Sequence, residues 1–441
     1  MTTEQTPPVS ADADPDTAAT RDFAAAVAEA ERLIRTAPHV RTEQDLAEGL
    51  DYLAGSIKAS LHMVGAFQRD HPFFAASTGP YSKLGLDNPD TLYFHAYIRD
   101  DAEYVVTGRR GTTADLSFQV MNGDYSPTAS PDSLTAFDDR ELDIGPDGEF
   151  RVTFGPPRAD AGPGYVALAP GSAMLIVREV FSDWANERPG EIRIHRADTL
   201  GTSPPPLTAA AMAKRFHMAG RMLVSRIRTF LAFPEWHYLR LPVNTLTEPR
   251  STPGGLTTQF SSVGHYDLAD DEVMVITVPA VEKGTATYFG FQLGSMWYVS
   301  LDYINHQTSL TQHQARIDVD GKIRYVVGER DPGLANWIEC TGHRRGYLQF
   351  RWQGLTRDLA PDDGPTVEVM PFDELPTGCR TTNTRRSTRT SGAPGSRPVR
   401  SPSPAGCSVD LLPPSKGGGS PRVAPWVSCF VADRPVREDS R

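Results

Sequence analysis

The sequence predicts a mainly β fold of the α+β class, in which two antiparallel β-sandwich or jelly-roll-like units are joined by a long helix. Apolar and polar residues alternate with a period of two in two series of short segments, such as LSFQVM and EFRVTF in the first and VMVITVP and GYLQFRW in the second. Turn-rich sequences such as RRGTT and GPDGE separate these segments, and short strands at regular spacing are typical of sandwiches and barrels. Helical periodicity before and between the two series predicts the helical additions.

Six regions are predicted along the 441 residues. They are a disordered arm (1–20), N-terminal helices (21–79), a first β unit (80–203), a connector helix (204–234), a second β unit (235–375) and a disordered tail rich in Arg, Ser and Pro (376–441). The tail holds eleven basic and four acidic residues, so it carries +7 within a chain of formal charge −11. The rest of the chain therefore carries −18, and so acidic a body is not expected to bind nucleic acid.

The Arg-rich tail has two interpretations. Clustered arginines can contact phosphates or an anionic surface, but this tail lacks the interleaved aromatic residues that stack on single-stranded nucleic acid. A solvated tail, or translation past a natural end near residue 375, is the simpler interpretation.

Three helices are predicted. The first covers RDFAAAVAEAERLIRTA. The second begins at Thr42, with Asp45 in capping-box position. The third covers residues 207–233 and is expected to end before Pro234, because proline cannot donate a helical hydrogen bond. Further along, Asp320-Gly321 lies between two alternating runs in ARIDVDGKIRYVV, which predicts a β-hairpin with a tight turn.

Composition and missing motifs exclude several functional classes. No segment has the run of about 20 apolar residues that a membrane span needs, and the N-terminus is acidic and Pro-rich, unlike a secretory signal. Only Cys340 lies before the tail, which fits a reducing compartment. We therefore expect a cytoplasmic protein. Its composition is also compatible with a homo-oligomer. Phosphate-binding loops, dinucleotide fingerprints and nucleophile elbows do not occur, so no cofactor is expected.

A first candidate site lies at the turn LDNPDTLY. Asn and Asp beside Pro favour an Asx-type turn, so Asp87, Asn88 and Asp90 stand at the mouth of a strand that continues through Tyr93. We expect Asn88, Asp90 and Tyr93 to contact a ligand. A turn that merely starts a strand explains the same pattern.

A second candidate is Arg178, which lies inside the apolar strand AMLIVREVF. A charge in such a run needs a partner, because an unpaired buried charge is very costly. The partner is either a ligand or Asp183, in a structural ion pair.

A third candidate is the polar cluster between Ser300 and Trp337. Polar groups beside aromatic walls are typical of small-molecule pockets, and a histidine oriented by a carboxylate can act as a general base. The predicted catalytic residues are Asp302, His306, His313 and Asp331, and the predicted ligand contacts here are Asn305, Arg330, Asn336 and Trp337.

A metal site is an alternative interpretation. His265 and Asp267 have the His-x-Asp spacing of a facial triad, which His306, His313 or His343 could complete. This spacing is frequent by chance, so the predicted site contains no metal.

Several segments together resemble the bacterial domain-of-unknown-function 1214 family, in an actinobacterial-type version. They are DNPDTLY, LIVREVFSDW with GEIRIHRAD, and the block from YFGFQLGSMWYVSLDYINHQ to GYLQFRW. The resemblance covers most of residues 40–355 and implies a β-sandwich-rich fold without an established common activity. The matching positions are Asn88, Pro89, Asp90, Asn305, His313, Gln314, Arg330, Asp331, Pro332, Asn336 and Trp337.

The leading functional hypothesis is a cytoplasmic enzyme, a hydrolase or lyase, or a binding protein that holds a polar or carboxylate-bearing metabolite between the β units. A non-catalytic structural or ligand-carrier module is the first alternative. A metal-dependent enzyme of the non-haem iron type is the second.

Overall fold

The computed structural model describes residues 20–124, 131–251, 256, 259–282 and 284–375. The predicted arm up to residue 19 and the predicted tail from residue 376 lie outside them. The described residues form three α-helices: α1 (Arg21–Arg35), α2 (Glu43–Gly65) and α3 (Ala209–His237). The strands before α3 are β1 (Thr91–Tyr97), β2 (Tyr104–Arg109), β3 (Asp115–Met121), β4 (Ser133–Asp138), β5 (Glu149–Gly155), β6 (Tyr165–Ala167), β7 (Met174–Val180) and β8 (Glu191–Arg196). The strands after α3 are β9 (Thr245–Leu246), β10 (Arg250–Ser251), β11 (Phe260–Asp267), β12 (Glu272–Pro279), β13 (Tyr288–Ser295), β14 (Val299–Ser300), β15 (Ser309–Thr311), β16 (Lys322–Gly328), β17 (Trp337–Glu339), β18 (Arg345–Gln353) and β19 (Thr366–Pro371).

The fold is mainly β with helical additions, as predicted. Strands β1 to β8 form sheet I, in the order β1-β7-β3-β4, and sheet II, in the order β6-β5-β2-β8. Buried side chains from both sheets, among them Phe118 of β3 and Phe154 of β5, share one hydrophobic core. This packing makes the first sandwich.

The strands after α3 build the second sandwich. Sheet III has the order β10-β11-β18-β13-β14, with β9 on β11 and β15 on β13, and sheet IV has the order β17-β16-β12-β19. Phe291 and Phe350 of sheet III pack with Tyr325 of sheet IV in a second core. The pairing is not wholly antiparallel, because β5–β6 and β16–β17 are parallel.

The helices begin largely as predicted. Thr42 caps α2, and its side chain and that of Asp45 form a reciprocal capping box, which satisfies amide groups that the first helical turn leaves free. The prediction that α3 ends before Pro234 is wrong, because the helix continues to His237. Pro234 has no backbone N–H to donate, but its carbonyl accepts from the Tyr238 amide at 2.8 Å, which continues the helix for one further turn. The adjacent Phe233 is buried in the core.

The predicted hairpin at Asp320-Gly321 is correct only at its turn. Gly321 has a φ of +76°, the left-handed conformation that glycine adopts without strain, and β16 follows. The arm before the turn forms no strand, and its Val319 is 95% exposed. The apolar residues that alternate in that arm, Ile317 and Val319, are therefore exposed and do not form a buried face.

Both sandwiches also bury part of their second faces. On sheet I, Tyr97, Met121 and Met174 pack with Met63 of α2. On sheet III, Val263 and Tyr347 pack with Phe230 and Phe233 of α3. The outer faces of sheets I and III are therefore covered by the helices, and the space near α3 is where the candidate site forms.

Candidate functional site

The candidate site follows from the two-residue period of strand β18. Leu348, Phe350 and Trp352 point into the core of the second sandwich. The alternate residues, Gln349 and Arg351, therefore project from the opposite face of sheet III, because successive side chains of a strand point to opposite sides. Both are buried, so this second face carries polar groups that are hidden from solvent.

Sheet I presents a similar face. In β1 and β7, Ala96 and Val177 lie in the core of the first sandwich, whereas Tyr93 and Arg178 lie on the other face and are directly opposite each other in the strand register. The guanidinium carbon of Arg178 lies 6.0 Å from the centroid of the Tyr93 ring. Sheets I and III thus each contribute an arginine to one region.

A cavity of about 140 Å³ lies in this region, and we call it the chamber. Its polar lining comes from the turn before β1 and from strands of both sandwiches, and its apolar lining comes partly from α3. The lining residues are Thr78, Leu84, Gly85, Leu86, Asp87, Asn88, Thr91, Tyr93, His95, Ile176, Arg178, Phe230, Phe233, Leu256, Gln259, Tyr298, Gln349, Arg351 and Gln353.

Arg351 is the most unusual group of the chamber. It is 7% exposed, and its guanidinium donates to the side-chain carbonyl of Gln292 and the backbone carbonyl of Leu86. Both acceptors are neutral, and the described residues supply no carboxylate partner. Burying a guanidinium without a charged acceptor is costly, and the fold holds this one at the chamber wall with neutral acceptors alone.

The turn Leu86–Asp90 ties the two sandwiches together. The Asp87 carboxylate accepts from the Ser300 amide at 3.1 Å and from its hydroxyl at 2.8 Å. The Asp90 carboxylate accepts from the Trp184 indole at 2.8 Å and from the Tyr288 hydroxyl at 3.0 Å. These contacts fix the turn beside the chamber, and because carboxylates only accept hydrogen bonds, an anionic ligand would have to be bound by other groups.

Backbone strain is concentrated at the same wall. Leu86 has a φ of +50° and Tyr298 a φ of +57°, and the amide of Leu86 donates to the carbonyl of Tyr298 at 2.6 Å. Side-chain-bearing residues rarely adopt this region, and each case costs on the order of 1–3 kcal/mol. Such strain is often found at functional sites.

Three buried polar atoms of the chamber lining have no hydrogen-bond partner among the described residues: Asn88 Nδ2, Thr91 Oγ1 and Gln353 Oε1. Each such atom costs about 1–3 kcal/mol. The Tyr93 hydroxyl oxygen accepts from the backbone N–H of Asn88 at 2.9 Å. The hydroxyl proton therefore stays available for another acceptor. The wall therefore offers unused donors next to a buried cation.

His95 lines both the chamber and an adjoining cavity. Its Nδ1 lies 3.3 Å from the Ser77 hydroxyl oxygen. Burial, assisted by the charge of Arg178, lowers the pKa of His95 to about 3. Its imidazole is therefore neutral at physiological pH and a weak base.

The structure separates the residues predicted to form the site. Asn88, Tyr93 and Arg178 line the chamber, and Asp90 is buried in the same turn. The proposed partner of Arg178, Asp183, lies instead 3.2 Å from His313 Nε2. The first two predicted motifs thus meet at one place although they lie far apart in sequence.

Asp302 and His306 lie at a second cavity of about 230 Å³. Its other lining residues include Lys83 and His343. The Lys83 ammonium donates to the carbonyls of Ser300 and Leu301 at 2.7 and 2.8 Å, and burial lowers its pKa. This cavity and the chamber have no lining residue in common.

The remaining predicted residues serve local structure. Asn305 donates to Asp302 at 2.7 Å, the Arg330 guanidinium lies 3.9 Å from the Phe372 ring centroid, and Asp331 accepts from the Gly333 amide at 2.7 Å. The Asn336 side chain accepts from the Arg316 backbone N–H and donates to the Arg316 carbonyl, both at 2.8 Å. The Trp337 indole donates to the Gly328 carbonyl at 2.8 Å. His313 is 57% exposed at its side chain. None of these residues lines the chamber.

The histidine considered for a metal triad has a structural contact. His265 Nε2 lies 2.9 Å from the Leu241 carbonyl oxygen. Across the described part of the chain, no three His, Cys, Asp or Glu side chains lie close enough together to hold a metal ion. In the same residues, no helix is long and apolar enough to cross a membrane.

Comparisons with known proteins concern the fold. No family profile and no curated protein matches the chain. The crystal structure of an uncharacterised protein from Burkholderia cenocepacia is 29% identical, covers 80% of this chain and 97% of its own, and superposes with a TM-score of 0.70. The VPA0106 protein from Vibrio parahaemolyticus is 12% identical over 73% of this chain and 99% of its own, with a TM-score of 0.41. These proteins indicate no function, and the resemblance to the domain-of-unknown-function family stays a prediction.

Sequence reasoning missed the chamber residues of sheet III. The signal was nevertheless present: in YFGFQLG, Gly290, Gln292 and Gly294 alternate with apolar residues, and in GYLQFRW, Gln349 and Arg351 do the same. All eight residues of β13 are buried, so polar alternation there indicates a second buried face. A Cβ on Gly294 would lie 2.2 Å from Leu86 Cδ1, which shows why glycine is needed where the turn packs onto this strand.

Proposed function

We propose that this protein binds a small carboxylate-bearing molecule in the chamber. The observation that carries the proposal is the buried guanidinium of Arg351, whose protein acceptors are neutral. Arginine binds carboxylates through paired, charge-assisted hydrogen bonds. A ligand carboxylate would give Arg351 the charged acceptor that its contacts among the described residues do not include.

The other chamber residues support an anion of this kind. Arg178 adds a second positive charge at the wall, and Tyr93 and Asn88 add neutral donors. A cavity of about 140 Å³ suits a compact head group. Mostly apolar walls with a few convergent polar groups are typical of small-molecule sites.

Binding is better supported than acid–base catalysis at this position. A general base is most effective when its pKa lies near the working pH, whereas that of His95 is about 3. A hydrolase or lyase acting through His95 is therefore less consistent with the structure than a binding protein. We place the cytoplasm as its compartment, supported by the buried free thiol of Cys340, and membership of the domain-of-unknown-function 1214 family remains part of this proposal.

The test compares two arginine variants of the full chain. Isothermal titration with octanoate should show saturable binding to the wild-type protein, and Arg351→Met should weaken it by at least about 30-fold, because losing one partner of a buried charge pair costs about 2–5 kcal/mol. Arg330→Met removes an exposed arginine outside the chamber and is the matched control, with unchanged affinity expected. Equal affinity in Arg351→Met and wild type, or no binding to either, would overturn the proposal.

A further inference from the structure

A larger cavity of about 380 Å³ adjoins the chamber, and we call it the annex. The two cavities share four lining residues: Leu84, His95, Ile176 and Phe230. Their combined volume lies within the range of about 300–1,000 Å³ that small-molecule sites occupy. A ligand whose head group occupies the chamber would therefore meet the annex with its remaining atoms.

Four methionines distinguish the annex from the chamber. Met63 comes from α2, Met174 from β7, and Met218 and Met222 from α3. Methionine is unbranched and polarizable, so it adapts to irregular apolar ligands. Met63 and Met174 are 5% and 3% exposed, which makes this wall a hidden apolar surface beside the polar chamber.

Polar side chains also line the annex, among them Arg221 and Arg226 of α3. Arg226 of α3 donates to the Lys83 carbonyl at 2.9 Å, and its Nε has no hydrogen-bond partner among the described residues. Arg221 is exposed. The carboxylate of Asp124 also lines the annex, so its polar groups carry both signs of charge and its apolar surface comes from the methionines.

We infer that the ligand is an amphipathic monocarboxylate, with its carboxylate at Arg351 and a hydrocarbon portion against the methionines of the annex. The inference rests on the proposed function, since it needs the carboxylate in the chamber. It adds the class of ligand: aliphatic or aryl carboxylic acids with an apolar body, and not short hydrophilic acids. Burying one methylene group is worth about fourfold in affinity, so binding should strengthen with chain length until the annex is filled.

The experiment titrates the full-length protein with acetate, butanoate, hexanoate and octanoate. Affinity should rise by about fourfold for each methylene group that enters the annex. Met222→Gln keeps the side-chain length but adds an amide, and it should weaken octanoate binding by roughly tenfold while leaving acetate binding unchanged. Met212→Gln, on the same helix but outside the annex lining, is the matched control and should change neither.

The outcomes separate this inference from the proposed function. If all four acids bind with one affinity, and Arg351→Met abolishes that binding, the anion site stands and the amphipathic ligand is wrong. If octanoate binds more tightly than acetate but Met222→Gln has no effect, the annex is likewise not the site of the hydrocarbon portion. If Arg351→Met binds every acid as the wild type does, the proposed function itself fails.

Discussion

The chamber and the turn cluster, which comprises Asp302, Asn305, His306, His313, Arg330 and Asp331, both collect polar side chains near aromatic ones. In the turn cluster these side chains contact other protein side chains or their own turns, as Asn305 contacts Asp302 at 2.7 Å and His313 contacts Asp183 at 3.2 Å. In the chamber, Arg351 projects from strand β18 and has only neutral acceptors. The side-chain amide nitrogen of Asn88, in the buried turn, has no hydrogen-bond partner among the described residues.

The difference lies in what burial costs. An exposed polar group loses little when it lacks a protein partner, because water replaces it, whereas a buried one costs about 1–3 kcal/mol. The density of polar residues in a sequence segment is therefore a weaker indicator of a site than a few polar residues on a strand that is buried on both faces. Four predictions test this contrast, and the largest effect is expected in strand β18.

The first prediction compares neighbours on β18. Phe350 is fully buried, with its ring centroid 4.4 Å from that of Phe291, and Phe350→Ala should lower the free energy of unfolding by about 3–5 kcal/mol. Arg351→Met should cost less, on the order of 1–2 kcal/mol, because it removes a buried charge but leaves two acceptors without their donor. Urea unfolding followed by circular dichroism measures both. If Arg351→Met destabilises as strongly as Phe350→Ala, Arg351 has a structural role and the contrast between the two faces fails.

The second prediction concerns a buried carboxyl on the second face of sheet I. Asp115 is 2% exposed, and burial, with the negative charges of Asp138 and Asp139, raises its pKa from 3.8 to about 7 against the opposing effect of Arg110 and Arg140. Between these two pH values the unfolded chain has released the proton and the folded chain has kept it. Stability from this group therefore falls as the pH rises from about 4 to 7 and stays low above 7.

Asp115→Asn should remove this penalty. The ionised carboxylate costs the folded state at most about 4 kcal/mol at pH 8. We expect a gain on the order of 2 kcal/mol there, about half of this upper bound. Urea titrations should show the gain at pH 8 and its disappearance near pH 4. A constant gain at every pH would mean that Asp115 does not titrate between these values.

Local features of the fold were predictable from the sequence. The alternation of apolar residues identified the two β series, and the Thr42-Asp45 spacing identified the start of α2, because both depend on neighbouring residues. The continuation of α3 through Pro234 was not predictable from propensity, since tertiary packing around Phe233 outweighs one missing hydrogen bond. The unpaired arm before Asp320 shows the same limit for strands.

The chamber was only partly predictable, because long-range contacts assemble it. Asn88, Tyr93 and Arg178 could be identified from the local chemistry of a turn and of a charged residue in an apolar strand. Arg351 could not be placed beside them, since its acceptor Leu86 is 265 positions away, and no local pattern indicates which strands pack together. The alternating Gly and Gln residues of β13, and the Gln and Arg residues of β18, show only that these strands have a second buried face.

The third prediction tests the close approach between that face and the turn. A Cβ at Gly294 would lie 2.2 Å from Leu86 Cδ1 and 3.1 Å from the Val299 carbonyl oxygen. Gly294→Ala should therefore displace the Leu86 side chain and cost about 1–3 kcal/mol, the usual range for overpacking. It should also weaken octanoate binding, because Leu86 presents its carbonyl to Arg351. Gly123→Ala, where an added Cβ meets nothing within 4 Å, is the control. Unchanged stability and affinity in Gly294→Ala would show that the turn is not held by this contact.

The smallest effect is expected in the turn cluster. The His313 side chain is 57% exposed and lies 3.2 Å from Asp183, and exposed ion pairs contribute only about 0–1 kcal/mol. His313→Ala should change the free energy of unfolding by less than about 0.5 kcal/mol and leave octanoate affinity at the wild-type level, measured by the same calorimetry as for Arg351→Met. A tenfold loss of affinity in His313→Ala would instead place the ligand at the turn cluster, and the burial of Arg351 against neutral acceptors would then need a different explanation.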